Sequence, residues 1–180
     1  MKILYIKIVD MKTALRIKAK NIRRRLIISD VSEKIVALIR KHPAYINAKR
    51  VMLFYPKKYE IDLRALLVDN KEFYLPRVDG DVLVVCPYRV GDPLVPSKFN
   101  ISEPVTEPIE PGLLDLMIVP ALSVDMQCFR LGYGKGYYDR LLQSIINTKV
   151  KTICPIPEEL MLETLPRDKF DVAVDYVVCA

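Results

Sequence analysis

Apolar positions along the chain follow two rhythms, one close to the helical period and one of short unbroken β-rich runs, and the shifts between them mark out the elements. Between residue 12 and about residue 28, Ala14, Leu15, Ile17, Ala19, Ile22 and Leu26 give a partly apolar face among basic residues, which predicts a helix. Asp30 followed by Glu33 has the spacing of a capping box, and Ile35, Val36, Leu38 and Ile39 carry a second helix expected to stop near Pro43. Residues 50–55 then read as a buried strand and 61–68 as a helix, while 72–76, 82–86 and 114–121 are β-rich apolar runs bounded by Gly, Pro or Asp. Further on, 137–146 is helical in pattern, 150–154 and 172–178 are strand-like, and 158–165 fits a short helix.

One stretch keeps neither rhythm. From Pro87 to Gly112 the prolines at 87, 93, 96, 104, 108 and 111 exclude a long helix. A loop of that length in a compact domain often covers a functional site. Strands separated by helices predict an α/β fold, with three layers around a mostly parallel sheet.

Composition narrows the class without choosing a function. A chain of 180 residues, 51% hydrophobic and 28% charged, fits one domain with a real core, so residues 1–180 are read as a single unit with 1–10 as an N-terminal extension. That extension, MKILYIKIVD, is too short for a membrane span or a signal-peptide core, so a cytoplasmic protein with no membrane partner is expected, and the segment is apolar enough to add an edge strand. The formal charge of +6 favours anionic partners such as phosphates, acidic cofactors or nucleic acid. Cys86, Cys128, Cys154 and Cys179 stand far apart with no CxxC pair, and His42 is the one histidine, so neither a zinc site nor a disulfide framework is indicated. Buried free thiols are expected, and His42, in KHPAY, reads as a helix-end residue.

The densest chemical signal is DLMIVPALSVDMQCFRLGYGKGYYDRLL: a buried strand, a short connection, glycines at 132, 134 and 136, then a helix. Glycines at alternate positions let a backbone approach a ligand closely and take positive φ. Such a loop can offer several N–H groups to phosphate oxygens at the positive end of the following helix, with Arg130 and Lys135 adding a planar fork and a compact point charge. Neither a Walker A loop nor GxGxxG is present. Taken alone, the residues leave a tight structural turn and a phosphate cradle equally open.

RLGYGKGYYDRLL closely resembles the signature of the 5-formyltetrahydrofolate cyclo-ligase family, and the likeness extends in order through Lys12-Thr-Ala-Leu-Arg16, Glu60-Ile-Asp62, Leu75-Pro76-Arg77-Val78, Ile101-Ser-Glu103-Pro104, Leu116-Met-Ile-Val-Pro120 and Asp171-Val-Ala-Val-Asp175. It departs at Ala121, where the family usually has Gly, at Cys128-Phe129, which replace a common Gly-Asn pair, at Leu63 for a frequent Thr, and at Leu160 for a usual Gln.

The resemblance implies a fold like that of sugar-phosphate isomerases and CoA transferases. It also implies an enzyme that couples ATP hydrolysis to closure of 5-formyltetrahydrofolate, or a related formylated pterin, into 5,10-methenyltetrahydrofolate. Phosphorylation of the formyl oxygen would give an iminium phosphate that the neighbouring nitrogen attacks. Such catalysis is mainly positioning and charge neutralisation.

By the same resemblance, Lys12, Arg16, Arg130, Gly132, Gly134, Lys135, Gly136 and Tyr137 contact ATP, with Arg130 and Lys135 catalytic. Tyr55, Glu60, Tyr133 and Tyr137 bind the folate, and Asp139 and Asp171 hold Mg²⁺. Lys12 and Arg16, four apart on a helix, share one face. Lys18, Lys20 and Arg23 to Arg25 are expected to be solvated, and one of Tyr133, Tyr137 and Tyr138 to belong to the core. Asp171 would sit on a loop or before an antiparallel edge strand, since ligands gather beyond the carboxyl ends of parallel strands. A monomer with small-molecule partners is the reading. Two alternatives stay open, a basic nucleic-acid-binding protein using residues 16–25 and a nucleotide or pterin binder without turnover.

Overall fold

A computed structural model of the chain describes residues 2–97 and 101–180, the side chains of 2–7 excepted. The first helix, α1, runs Lys2–Arg23, followed by α2 (Ile28–Lys41) and the short α3 (Pro43–Asn47). Residues 2–10 are therefore the first turns of α1 and not an added edge strand. With neither Gly nor Pro before Pro43, nothing in the backbone separates them from the rest of the helix. The capping box at Asp30 does not form. Because α2 already begins at Ile28, Asp30 and Glu33 lie inside it, and the N-cap residue Ile27 has no side chain that could accept a bond. His42 does end a helix: it closes α2, and its Nδ1 accepts from the Ala44 N–H at 3.2 Å to start α3.

The strands in chain order are β1 (Arg50–Met52), β2 (Glu72–Asp79), β3 (Val82–Tyr88), β4 (Leu94–Pro96), β5 (Ser102–Pro104), β6 (Leu116–Ile118), β7 (Ser123–Asp125), β8 (Arg130–Leu131), β9 (Lys151–Ile156), β10 (Met161–Leu162) and β11 (Tyr176–Cys179), with α4 (Tyr137–Ile145) between β8 and β9. The main sheet has the order β11-β9-β6-β1-β2-β3. Every neighbouring pair in it is parallel except β2 with β3. The expected helix over 61–68 shrinks to a 3₁₀ turn, Arg64–Val68, started by the Asp62 carboxylate accepting the Arg64 N–H at 2.9 Å. The second expected short helix is likewise a 3₁₀ turn, Glu158–Leu160, running into β10.

Alternation of side chains splits the core in two. Val51, Leu53, Phe73, Leu75, Leu116, Ile118 and Ile153 face Ile35, Val36 and Ile39 of α2. Met52, Tyr74, Met117, Cys154 and Ile156 face the other way, toward Ala19 of α1 and Leu141, Leu142 and Ile145 of α4. Odd and even positions of the same strands feed opposite faces, so helices cover both and the architecture is a three-layer α/β/α fold with a mostly parallel sheet. None of the helices among the described residues is long and apolar enough to cross a membrane.

A candidate active site at the carboxyl ends of the strands

A cleft opens beyond the carboxyl ends of β1, β2 and β6, and it gathers residues that are far apart in sequence. The connection after β6 is not short: β7 and β8 form a small antiparallel pair, extended by β10, that carries the chain outward before the glycines. Gly134 and Gly136 have φ of 99° and 69°, the left-handed region that glycine enters without strain, and Gly136 is the N-cap of α4.

Each glycine also makes room for a guanidinium. A Cβ on Gly134 would lie 3.2 Å from Cζ of Arg16, one on Gly132 would lie 3.3 Å from Nη1 of Arg130, and one on Gly136 would lie 2.9 Å from Nη1 of Arg140. Arg16 donates from Nε to the Gly132 carbonyl at 2.9 Å. Arg140 ties the start of α4 to the β2–β3 turn through the Asp81 carbonyl at 2.8 Å. The loop is thus backed by arginines throughout, a cradle for an anion.

Arg130 is buried, donates to Asp139 at 2.7 Å and faces the Tyr138 ring at 5.7 Å; its Nε has no partner among the described residues. The Lys135 ammonium is exposed, with no hydrogen bond or ion pair among the described residues. Lys12, buried on α1, donates to Asp171 at 2.6 Å and Asp168 at 3.0 Å. Burial pushes the Lys12 pKa down, but these two carboxylates outweigh it and hold the ammonium above its ordinary value. Burial similarly opposes Asp168, yet the Phe170 N–H and Lys12 keep it below the usual carboxylate range, so the pair is charged at neutral pH.

On the other side of the cleft, Glu60 is buried just past β1 and does not begin a helix. Its Oε2 accepts the Lys57 N–H at 2.8 Å and its Oε1 accepts the Tyr133 hydroxyl. Burial first, then the Glu60 charge, push the Tyr133 hydroxyl far above its ordinary pKa, which fixes it as a donor. Tyr55 and Tyr137 also line the cleft, and Tyr138 is the tyrosine of the three whose hydroxyl is most deeply buried, its pKa raised by that burial.

All thirteen residues expected at the site therefore line one cleft: Lys12, Arg16, Tyr55, Glu60, Arg130, Gly132, Tyr133, Gly134, Lys135, Gly136, Tyr137, Asp139 and Asp171. Asp171 lies on the loop before β11, which is a parallel edge strand. Asp175 lies elsewhere, accepting from the Thr152 N–H and hydroxyl at 2.8 and 2.7 Å.

Lys57 and Glu103 line the cleft but were not singled out in the sequence, and neither was Asp168, the second partner of Lys12. Glu103 stood in a quoted segment that carried no assigned role, and Asp168 gave no signal. Arg23, expected to be solvated, is 4% exposed and donates to the Ala121 carbonyl. With Arg16 and Arg23 turned inward, residues 16–25 do not present one basic face. Leu160 is core, 1% exposed and outside the cleft lining. A second hollow at the opposite end of the sheet, lined by Lys71, Tyr74 and Arg89, contains none of the expected residues.

Comparison with known proteins gives a consistent picture. Residues 9–180 match the model of the 5-formyltetrahydrofolate cyclo-ligase family. The chain is 30% identical over 136 residues to the 5-formyltetrahydrofolate cyclo-ligase of Haemophilus influenzae, covering 70% of this chain and 73% of that one. It is 27% identical over 165 residues to the mouse 5-formyltetrahydrofolate cyclo-ligase, covering 82% and 79%. Among solved structures, the NMR structure of Aquifex aeolicus 5,10-methenyltetrahydrofolate synthetase superposes with a TM-score of 0.81 at 33% identity, covering 94% of this chain and 89% of that one.

Proposed function

The chain belongs to the 5-formyltetrahydrofolate cyclo-ligase family, and from that premise we propose that it cyclises 5-formyltetrahydrofolate, or a closely related formylated pterin, to the 5,10-methenyl form at the expense of ATP. One observation carries the reading: a single cleft joins an arginine-backed glycine loop to a pocket of tyrosines around a buried carboxylate. The first suits a polyphosphate and the second a flat ring with N–H donors.

In this reading Lys12, Arg16, Arg130 and Lys135 grip the phosphates, and the loop 132–137 brings its backbone against them. Glu60, with Tyr55, Tyr133 and Tyr137, orients the pterin so that its formyl oxygen faces the γ-phosphorus. Transfer of the phosphoryl group makes that oxygen a leaving group, the neighbouring nitrogen attacks the formyl carbon, and phosphate departs. Arg130 and Lys135 act by neutralising charge on the transferred group, a role fixed positive groups fill without reorganisation.

The residues fit Mg²⁺. Asp139 and Asp171 are hard oxygen donors lining the same cleft, the one or two carboxylates that this ion takes before completing its shell with water and phosphate oxygens. When bound, Mg²⁺ would neutralise phosphate charge. Asp139 and Asp171 are each held by a cation, Arg130 and Lys12, so these four side chains form the polar rim that any metal–nucleotide complex meets.

The finer kinship of the fold with sugar-phosphate isomerases and CoA transferases goes with the same proposal, supported by the α/β/α layering. A cytoplasmic location does too, supported by four free thiols. The test is direct. Purified protein mixed with ATP, Mg²⁺ and 5-formyltetrahydrofolate should develop the absorbance of the methenyl product, and folded protein that binds both ligands without hydrolysing ATP would reveal a binder without turnover.

A further inference from the structure

Among the carboxylates of the cleft, Glu103 is unlike the rest. It lies on β5, in the proline-rich stretch between β3 and β6, and is 7% exposed. Glu60, Asp139 and Asp171 each accept from a group of the chain itself. Glu103 has no hydrogen-bond or ion-pair partner among the described residues, although Arg77 is close by. That guanidinium is turned instead to the Pro104 and Thr106 carbonyls, at 3.2 and 2.7 Å. Its carboxylate oxygens are not sealed from solvent as the Nε of Arg130 is, so they open on the cleft with their acceptor capacity available to a donor that enters it.

The surroundings say what that donor is attached to. Pro76 and Val78 of β2, Leu83 of β3 and Ile101 line the cleft with Glu103, and they offer apolar surface together with one strong acceptor. The described cations of the cleft, Lys12, Arg16, Lys57, Arg130 and Lys135, belong to α1, the loop after β1, β8 and the glycine loop, and among the described residues none of them is bonded to Glu103. Apolar walls with a single convergent acceptor match the edge of a heteroaromatic ring that carries N–H groups, not a phosphate, which the acceptor would repel.

We propose that Glu103 is a substrate-binding residue that accepts a hydrogen bond from an N–H of the pterin ring, alongside Glu60. The proposal rests on the folate reading of the cleft. It divides labour between the two carboxylates: Glu60 spends part of its capacity fixing Tyr133 and the turn at Lys57, and Glu103 keeps all of its capacity for the ligand.

The experiment is Glu103→Gln, which keeps shape and removes the charge, with Glu103→Asp, which keeps the charge and shortens the reach. Turnover of wild-type protein with 5-formyltetrahydrofolate, ATP and Mg²⁺ checks the cyclo-ligase reading first. Calorimetric binding of 5-formyltetrahydrofolate to wild type and variants checks Glu103 whether or not turnover is seen. Loss of a charge-assisted bond should weaken folate affinity and raise its KM about ten- to a hundred-fold in Glu103→Gln, with KM for ATP unchanged. Glu103→Asp should fall between that variant and wild type. The melting temperature of ligand-free Glu103→Gln should stay within a degree or so of wild type, roughly the size of a surface change, because no bond within the protein is lost. Loss of a structural carboxylate would lower it. A Glu103→Gln protein that melts lower or fails to fold, or one that binds 5-formyltetrahydrofolate as wild type does, overturns the proposal.

Discussion

The two ends of the parallel sheet are both rich in charge, but they use it differently. At the amino ends, polar groups satisfy one another. Asp115 accepts from the Lys49 and Arg50 N–H groups at 2.9 and 2.7 Å, Glu72 pairs with Lys49 at 3.1 Å, and Asp175 holds Thr152 beside Lys151. These contacts close the strand starts of β1, β2, β6, β9 and β11. At the carboxyl ends, Arg130 and Lys12 are buried, Nε of Arg130 and the Glu103 carboxylate lack partners, and Lys135 projects free, so far as the described residues show. Among the described residues, the named groups at the amino ends are paired with one another, while Nε of Arg130 and the Glu103 carboxylate at the other end have capacity left over. Left-over buried capacity is costly, and a bound ligand is what would recover it.

The comparison breaks most easily at Arg130. Arg130→Ala removes a cation from the proposed phosphate cradle and leaves Asp139 without its partner. It should weaken ATP use by on the order of 1.5–3 kcal/mol, about ten- to a hundred-fold, while pterin binding changes much less. Lys135→Ala should give the smaller effect of the two, since its ammonium is solvated in the absence of ligand. If calorimetry shows both variants binding ATP normally, the glycine loop is only a turn.

Asp171 and Asp175 sharpen the contrast, because they stand close in sequence yet the first lines the cleft and the second holds Thr152 near the start of β9. Asp139→Asn and Asp171→Asn should each raise the Mg²⁺ concentration needed for half-maximal turnover. Asp175→Asn should leave that requirement alone and lower stability instead, through its bonds to Thr152. An unchanged requirement in Asp171→Asn with a raised one in Asp175→Asn would reverse the assignment. Asp115→Ala belongs to the same contrast from the other side. Two backbone N–H groups lose their acceptor, which should cost about 1–2 kcal/mol in denaturant unfolding with both KM values intact.

Much of this was legible in the chain. The apolar runs at 50–55, 72–76 and 114–121 predicted strands, and because they are apolar at successive positions both faces of the sheet are buried. The glycine loop was visible as composition, but its backing by Arg16 and Arg140 was not, since sequence gives no direction to a long side chain. Arg23 misled for a related reason. Three consecutive arginines read as a solvated run, yet the helical period turns Lys12, Arg16, Ala19 and Arg23 to one face, and that face meets the sheet. The capping box failed because a good local pattern lost to the register imposed by packing of Ile35, Val36 and Ile39.

Cys128 shows a departure that the backbone makes intelligible. It has φ of 64°, a left-handed conformation that disfavours any side chain with a Cβ, and it stands where relatives were expected to carry glycine. The turn is held from outside, by the Asp125 carbonyl accepting the Cys128 N–H at 2.9 Å and by the Val174 N–H donating to its carbonyl. Cys128→Gly should therefore relieve strain and raise stability by about 1 kcal/mol, less the added freedom of glycine in the unfolded chain, with turnover unchanged. A loss of stability would mean that the half-buried thiol contributes more by packing than the backbone loses.

The smallest effect is expected at the other margin of the cleft, from a chain begun at Met11. The family match starts at residue 9, and the helix α1 starts at residue 2, so this truncation removes about two and a half turns of helix, and among the described side chains none that lines the cleft. It does bring Lys12 into the first turn, where backbone N–H groups lack partners and helices fray. Two things oppose fraying there. The Lys12 ammonium is tied to Asp168 and Asp171, and Arg16, Ala19 and Arg23 anchor the next two turns against the glycine loop and the sheet. Among the described residues, the side-chain bond that reaches the removed segment is an exposed one, from the Thr13 hydroxyl to the Val9 carbonyl at 2.8 Å. KM for ATP should accordingly rise no more than about twofold, a few tenths of a kcal/mol, and turnover per folded molecule should hold. Hydrogen exchange separates the two ways this could fail. Faster exchange at residues 12–16 together with a tenfold rise in KM for ATP would show that residues 2–10 hold the cation-bearing face in place, and the carboxyl-end site would then extend into the start of α1.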